Sequence, residues 1–366
     1  MNTAKPEPLA LFCLTPGGVA LARRLQPHLA LDCFTSPALA GPGVAGFDGG
    51  FMHHVRQAFR RYPALIIIGA TGVAVRAIAP VVQDKLSDPA VVVMDEAGQF
   101  VISLLSGHMG GANALTRTLA SLLGASPVIT TATDVNQFGA LDLLAKQLDA
   151  RADNFRQAVK TINQGLVSGQ RIGLWWDSAS LGPQPELDTR GFVPVADIQA
   201  PGELDHLVCL TLAAQLPAGD IPQVKLVPRR IVAGIGCRRD TAPEKVAALL
   251  HQQLAASGVD PLGLAAIGSI DLKKDEPALI ALAAQFQVPF YTFSAAVLQR
   301  WESRVPCSPF VRQVTGVGNV SQTVVWQLCQ TSSDDACPDR LLPGEPLREQ
   351  GVTIALGKLP GVENRC

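Results

Sequence analysis

The stretch AVVVMDEAGQFVISLLSGHMGGANALTRTLASLLGASPVITTATD, residues 90–134, decides how the amino-terminal part of this chain is read. AVVVMDE (90–96) and FVISLL (100–105) are β-rich runs of strand length, split by the small turn residues Ala97 and Gly98. Leu115, Leu119 and Leu122 then recur at helical spacing between Gly111 and Leu123. PVITTATD (127–134) reads as a further strand, ending in hydroxyls and one carboxylate. The same alternation runs upstream. LALFCL (9–14) leads through TPGG into a helix with Val19, Leu21, Ala22 and Leu25 on one face. ALIIIG (64–69) has no polar side to give to water, so it is expected as a strand buried on both faces. Strands alternating with helices in this way predict an α/β fold built on a mostly parallel, doubly wound sheet.

Residues 138–228 read as a smaller α/β middle module. Its expected elements are helices to about Ala150 and over 153–168, a strand at 171–177, a long loop over 178–202, and strands at 204–212 and 223–230. From Ile231 the pattern sharpens into a second mostly parallel, doubly wound α/β domain. IVAGIGC is a strand and glycine turn, Thr241, Pro243 and Glu244 open a helix, and LAAIGSIDL, VPFYTF and GVTIALG are strands. Ser332–Glu345 is read as a surface loop. The expected organisation is three domains, 1–137, 138–228 and 229–366.

With 366 residues, 48% of them hydrophobic and 17% charged, the chain has ample apolar surface for several cores, which excludes global disorder. Thirty Lys and Arg against 31 Asp and Glu leave a net charge of -1, so no broad field draws in nucleic acid or an anionic membrane. Any anionic ligand must be met by local basic groups. The eight cysteines form no CxxC pair and have no histidine at zinc-site spacing, so no metal site is expected and a reducing compartment is. The longest apolar run, Ala64–Val75, is well short of the ~20 residues that a membrane span requires. The first, Leu9–Leu14, is halted by Pro16, Gly17 and Gly18 before it could serve as a signal core. A cytoplasmic protein is expected.

Five glycine turns share one construction: TPGG (15–18), GATG (69–72), SGHMGGAN (106–113), GIGC (234–237) and GVGN (316–319). Each follows a strand or opens a helix, where a ligand can approach the backbone; equally, any βα turn needs small residues. There is no GxGxxG after the first strand and no GxxxxGK[ST], which argues against a nucleotide site. His108 stands out because Ser106, Gly110, Gly111 and Asn113 place it on a loop rather than on an apolar helix face. An imidazole there can move protons or can brace the loop by hydrogen bonds. Asp95 and Glu96 end one strand and Asp134, after Thr131, ends another. If the sheet is parallel, any of the three can orient His108, while Asp134 can instead cap the next helix. Basic residues near these turns, Arg76, Arg238, Lys273 and Lys274, are candidates for holding carboxylates, with Gly236 lining the same place. Cys237 has no adjacent histidine to activate it and is read as packing.

Several of these strings together resemble one known family. GATGVAVRAIAP (69–80), DPAVVVMDEAGQFVISLLSGHMGGANALT (88–116) and PVITTATDVN (127–136) resemble the amino-terminal and central parts of the CbiG family, the cobalt-precorrin-5A hydrolases of anaerobic cobalamin synthesis. VAGIGCRRDT (232–241), LAAIGSIDLKKDEPALIALA (264–283), VPFYTFSA (288–295) and TGVGNVS (315–321) look like its carboxyl-terminal domain, with Asn319 and Gln322 where Ser and Glu are expected. The resemblance implies that water opens the δ-lactone joining the ring A acetate to C20 of a cobalt-containing macrocycle, and that C20 leaves with its methyl as acetaldehyde. Cobalt would arrive inside this tetrapyrrole-derived substrate, so no cofactor or protein-bound metal is implied. The residues singled out above supply a candidate catalytic set of His108, Glu96 and Asp134 and a candidate substrate-binding set of Arg76, Ser106, Gly110, Gly111, Asn113, Thr131, Gly236, Arg238, Lys273 and Lys274. A macrocycle-sized cleft is expected where the first and last domains present these residues, and a homodimer is left open. The other reading is a noncatalytic carrier of corrinoid intermediates, since the carboxyl-terminal domain also occurs alone and no complete nucleophile, base and acid set is legible.

Overall fold

The computed structural model describes residues 7–330, 341–342 and 344–360, so most of the segment read as a surface loop, Ser332–Glu345, lies outside the described residues. The chain divides into two compact units, the first ending at Phe138 and the second beginning at Gly139.

The first unit is one seven-stranded sheet in the order β3-β2-β1-β4-β5-β6-β7. Its strands are β1 (Leu9–Cys13), β2 (Leu31–Thr35), β3 (Ala45–Gly46), β4 (Ala64–Ile68), β5 (Ala90–Met94), β6 (Phe100–Leu105) and β7 (Ser126–Val128). Its helices are α1 (Pro16–Leu25), α2 (Phe51–Phe59), α3 (Thr71–Ile78), α4 (Ala112–Leu123) and the single turn α5 (Ala132–Val135). Because side chains alternate across a strand, the sheet feeds two cores. Leu11, Ile66, Ile68, Val92 and Met94 pack against Leu21 and Leu25 of α1 and Leu119 of α4. Phe12, Leu65, Ile67, Val91 and Val93 pack on the other face against Val55 and Phe59 of α2 and Ile78 of α3. The Ile run is therefore buried on both faces, and the sheet is doubly wound.

One departure governs the rest. β1 to β5 run parallel to one another, but β5 and β6 form an antiparallel hairpin and β7 then follows β6 in parallel. The carboxyl ends of β6 and β7 therefore emerge at the edge opposite to those of β1, β4 and β5. β7 is also much shorter than the strand expected over 127–134. It is an edge strand that meets β6 only through Phe100–Ile102, and without a second ladder the chain leaves the sheet and coils into α5.

The second unit contains two sheets. In the first, β9 (Ile172–Trp176), β10 (Phe192–Val195), β11 (His206–Leu210) and β12 (Gln223–Pro228) are parallel, and β8 (Ala150–Arg151) pairs antiparallel with β12, in the order β10-β9-β11-β12-β8. β10 lies inside the region expected to be loop, where its Pro194 suits an edge position. The second sheet comprises β13 (Ile231–Cys237), β14 (Leu264–Ile270), β15 (Phe290–Phe293), β16 (Leu347–Glu349) and β17 (Val352–Lys358), in the order β15-β14-β13-β17-β16. β13, β14 and β15 are parallel, whereas β17 and β16 close the other side antiparallel. Polar bonds join the two sheets' modules. The Arg151 guanidinium donates to Phe286 O and Gln287 O, 2.9 and 2.8 Å, at the carboxyl end of the helix Pro277–Phe286, where a cation suits the exposed carbonyls. Lys225 pairs with Asp260.

At the GVGN turn, Asn319 caps the helix Val320–Leu328 by accepting from Gln322 N at 3.1 Å. Its amide in turn donates to Gln322 Oε1 at 2.6 Å and to Pro306 O at 2.8 Å. Asn319 thus caps the helix while its amide ties the two side chains together, and both are buried.

That helix packs so closely on β13 that a Cβ on Gly234 would collide with the Ser321 carbonyl oxygen and stand 3.2 Å from Val324 Cβ. Gly234→Ala should therefore destabilise the protein by on the order of 3 kcal/mol, read as a lowered midpoint in denaturant unfolding.

Candidate active site

His108 sits on the loop between β6 and α4, and the folding of that loop is dictated by close approach. A Cβ on Gly110 would overlap the Ser106 side chain and lie 2.8 Å from Ser106 O, and 3.1 Å from Ala90 N. Gly111 takes φ 91° as the residue before α4, and Ser106 itself is left-handed at φ 57°. Ala112 N donates to Ser106 O at 3.2 Å and Asn113 N to Gly107 O at 3.0 Å, closing the loop on the helix start. These first amides of α4 are thus engaged by the loop's own carbonyls.

The loop delivers the imidazole to α5. His108 Nε2 lies 3.0 Å from Asp134 Oδ2 and 3.2 Å from Thr133 Oγ1, with side-chain exposures of 10% for His108 and 15% for Asp134. Asn113 Nδ2 donates to the same Oδ2 at 2.8 Å and to Thr131 Oγ1 at 2.9 Å, while its Oδ1 accepts from Ser103 Oγ at 2.6 Å. Arg117 Nη2 completes the set at 2.5 Å from Asp134 Oδ1. Burial by itself raises the Asp134 carboxyl, but the hydrogen bond from Arg117 and then that from His108 outweigh it, and the pKa is lowered. Asp134 is therefore an ionised acceptor. An ionised carboxylate can only accept, so Nε2 carries the proton and Nδ1 is the basic nitrogen of the neutral ring.

The sequence-derived set divides. His108, Asp134, Asn113 and Thr131 converge, but Asn113 is 4% exposed with its amide fully engaged, so it holds Asp134 rather than facing a ligand. Asp134 does not cap α5, whose preceding residue is Thr131. Ser106 is buried, and its Oγ has no hydrogen-bond partner among the described residues. Glu96 is not brought to His108. It follows β5 at the opposite sheet edge and lies over the TPGG turn, where a Cβ on Gly17 would come within 2.6 Å of Glu96 Oε1. The expectation that Asp95, Glu96 and Asp134 share one edge with every glycine turn fails because β6 and β7 run against the other five strands. Asp95 braces the hairpin itself, accepting from Ala97 N at 2.9 Å and Phe100 N at 2.5 Å. Arg76, on α3, is exposed and donates to Gly72 O at 3.2 Å.

In the second unit, Arg238 and Lys274 are exposed, and Gly236 O accepts from Thr353 Oγ1 at 3.4 Å. Lys273 is already committed. Its ammonium lies 2.7 Å from Glu276, a 5% exposed carboxylate that also accepts from Asp240 N at 3.1 Å. Burial pushes the Cys237 thiol up despite the neighbouring Lys273, which suits packing rather than nucleophilic attack. Sequence reading missed Arg117 and Glu276. Arg117 stands four residues after Asn113, the spacing that puts both on one helix face, and that was the only signal for it.

Comparison with known proteins covers almost the whole chain. Residues 53–134 match the family described as Cobalamin synthesis G N-terminal, 139–228 match Cobalamin biosynthesis central region, and 231–357 match Cobalamin synthesis G C-terminus. The chain is 59% identical to a protein of Salmonella typhimurium named cobalt-precorrin-5A hydrolase, over 98% of this chain and 99% of that one. It is 32% identical to a Priestia megaterium protein of the same name, over 86% and 87% respectively. Among solved structures, a cobalamin biosynthesis protein G homolog from Sulfolobus solfataricus aligns over 96% of this chain and 97% of its own, with 18% identity and a TM-score of 0.40.

Two outcomes follow from these contacts. Asp134 has a lowered pKa in the folded state, so the stability it adds is complete above the ordinary carboxylate pKa of about 3.9 and is lost as pH falls through the lower folded value. The advantage of the wild type over Asp134→Asn should persist from neutrality down to the ordinary carboxylate range and should close only in acid below it, as measured by unfolding both proteins across pH. Lys273→Gln leaves Glu276 buried without its cation and should lower unfolding stability by about 1–3 kcal/mol.

Proposed function

This chain belongs to the CbiG family, and from that premise we propose that it is a cobalt-precorrin-5A hydrolase of cobalamin biosynthesis, with His108 as its proton-transfer group. The observation that carries the reading is the 59% identity to the Salmonella hydrolase along 98% of the chain. The His108–Asp134 pair is what such a hydrolase needs and a carrier does not.

The reaction makes two demands on protons. Water attacking the δ-lactone carbonyl must lose one, and the ester C–O bond breaks to leave the ring A acetate and a hydroxyl on C20. That hydroxyl must then lose its proton as the bond from C20 to the macrocycle breaks. The electron pair passes to the ring, which is protonated in turn, and C20 departs with its methyl as acetaldehyde. The balance is one water consumed and one acetaldehyde released, giving cobalt-precorrin-5B. His108 Nδ1 can take a proton at either step and return it, because Asp134 holds the Nε2 proton and stabilises the imidazolium.

The macrocycle is edged with carboxylates, and Arg76, Arg238 and Lys274, all exposed, are the groups proposed to meet them, with Lys273 contributing beside Glu276. Cobalt is part of the substrate. We read the enzyme as cytoplasmic, acting without nucleic acid or membrane; no helix among the described residues is long and apolar enough to cross one. A homodimer is compatible with this reading.

The test is acetaldehyde release from supplied cobalt-precorrin-5A. A folded His108→Ala variant should lose roughly 10²-fold or more in turnover, since general acid–base groups contribute about that much. Near-normal turnover would reduce His108 to a loop brace. Absence of acetaldehyde from the wild type, with substrate bound, would favour the carrier.

A further inference from the structure

We propose that Arg117 is a positioning residue that sets the proton affinity of His108 through Asp134, and so sets the pH at which the pair works. The inference rests on the proposed role of His108 for its consequence in catalysis, but not for its physical content.

The two oxygens of Asp134 are divided between partners. Oδ2 receives His108 Nε2 at 3.0 Å and Asn113 Nδ2 at 2.8 Å, whereas Oδ1 receives only Arg117 Nη2 at 2.5 Å among the described contacts. Asn113 and Arg117 lie on one face of α4, a turn apart, so the helix grips the carboxylate from one side while the loop presents the imidazole from the other. Thr133 of α5 adds a hydroxyl to Nε2 at 3.2 Å, and Ser103 of β6 reaches the network only through Asn113. The charged groups bonded to this carboxylate are thus the guanidinium and, when protonated, the imidazole.

This arrangement has a definite electrostatic sign. An isolated carboxylate beside an imidazole favours the imidazolium and raises its proton affinity. Here a permanent cation already neutralises much of that carboxylate and repels a second positive charge a few ångströms away. His108 therefore returns to its neutral, basic form at a lower pH than Asp134 alone would allow. Asn113 cannot do this, because an amide fixes position without contributing net charge. Arg117 is 54% exposed, so solvent moderates the effect without abolishing it.

The experiment is an NMR titration of the imidazole ring in the full chain, with the His108 resonance identified by its disappearance in His108→Gln. In Arg117→Gln the titration midpoint should rise by about half to one pH unit, from Coulomb arithmetic at this separation in a largely solvated setting. Arg117→Lys, which keeps the charge and loses the fork, should restore most of the wild-type midpoint. The acid limb of kcat/KM for acetaldehyde release should move with it. Arg117→Met serves as a second charge-removing variant if Arg117→Gln does not fold. An unmoved midpoint in a folded charge-removing variant overturns the proposal, as does a Lys variant that behaves like Gln. Should His108→Ala keep normal turnover while the midpoint still moves with Arg117, the catalytic reading of His108 fails and the electrostatic assignment stands.

Discussion

The reversal of the chain between β5 and β6 is the constraint on which the amino-terminal unit depends. Asp95 fixes it by accepting from the backbone N–H groups of Ala97 and Phe100 across the turn. Burial is the largest single influence and raises that carboxyl, yet the several backbone donors together outweigh it and the net shift is downward, as expected for an acid that is a hydrogen-bond acceptor throughout. Had β6 continued in parallel, its carboxyl end would have joined the TPGG and GATG turns. The hairpin instead sends SGHMGGAN to the opposite edge, where the end of β7 and α5 supply Thr131, Thr133 and Asp134. Two polar places result in one sheet, one with Glu96 over Gly17 and one with Asp134 beside His108.

That division explains which parts were legible in the sequence. Helix and strand periods are local, so Leu115 and Leu119 of α4 and the Ile run of β4 identified their elements. The direction of a strand within its sheet is not local. FVISLL has the same hydropathy in either direction, and only the brevity of the Asp95–Gln99 connection, too short for a helical crossover, signalled the reversal. Glu96 was grouped with His108 because that signal was not used. The run 127–134 misled for a related reason: its β-branched residues favour a strand, but a strand needs a partner, and β6 offers one only as far as Ile102.

Side-chain networks were less legible still, since they depend on which surfaces meet. Asn113 looked like a ligand-facing amide beside a glycine loop, and it is instead a buried tie between β6, the segment before α5, and α5 itself. Glu276, which sequence reading missed, joins Lys273 to the turn at Asp240. Neither tie is visible when only neighbours in sequence are considered. The carboxyl-terminal departures read more simply: Asn319 caps the helix and is tied to Gln322 in place of the expected Ser and Glu, so the helix start is maintained by different atoms.

The network around Asp134 also constrains what kind of acid–base device this can be. A carboxylate that accepts from His108, Asn113 and Arg117 at once has its proton affinity lowered even against the cost of burial. It is thus a poor place to park a proton, and the imidazole must carry the charge itself. Lactone opening followed by loss of an aldehyde needs one group that accepts a proton and gives it up again without moving. A histidine with one nitrogen permanently anchored and the other basic meets that need, because protonation changes its charge but not its tautomeric frame. The tight loop matters for the same reason. With Gly110 pressed against Ser106 and the first amides of α4 bonded back to the loop, the imidazole's position is set by the backbone and its proton inventory by Asp134.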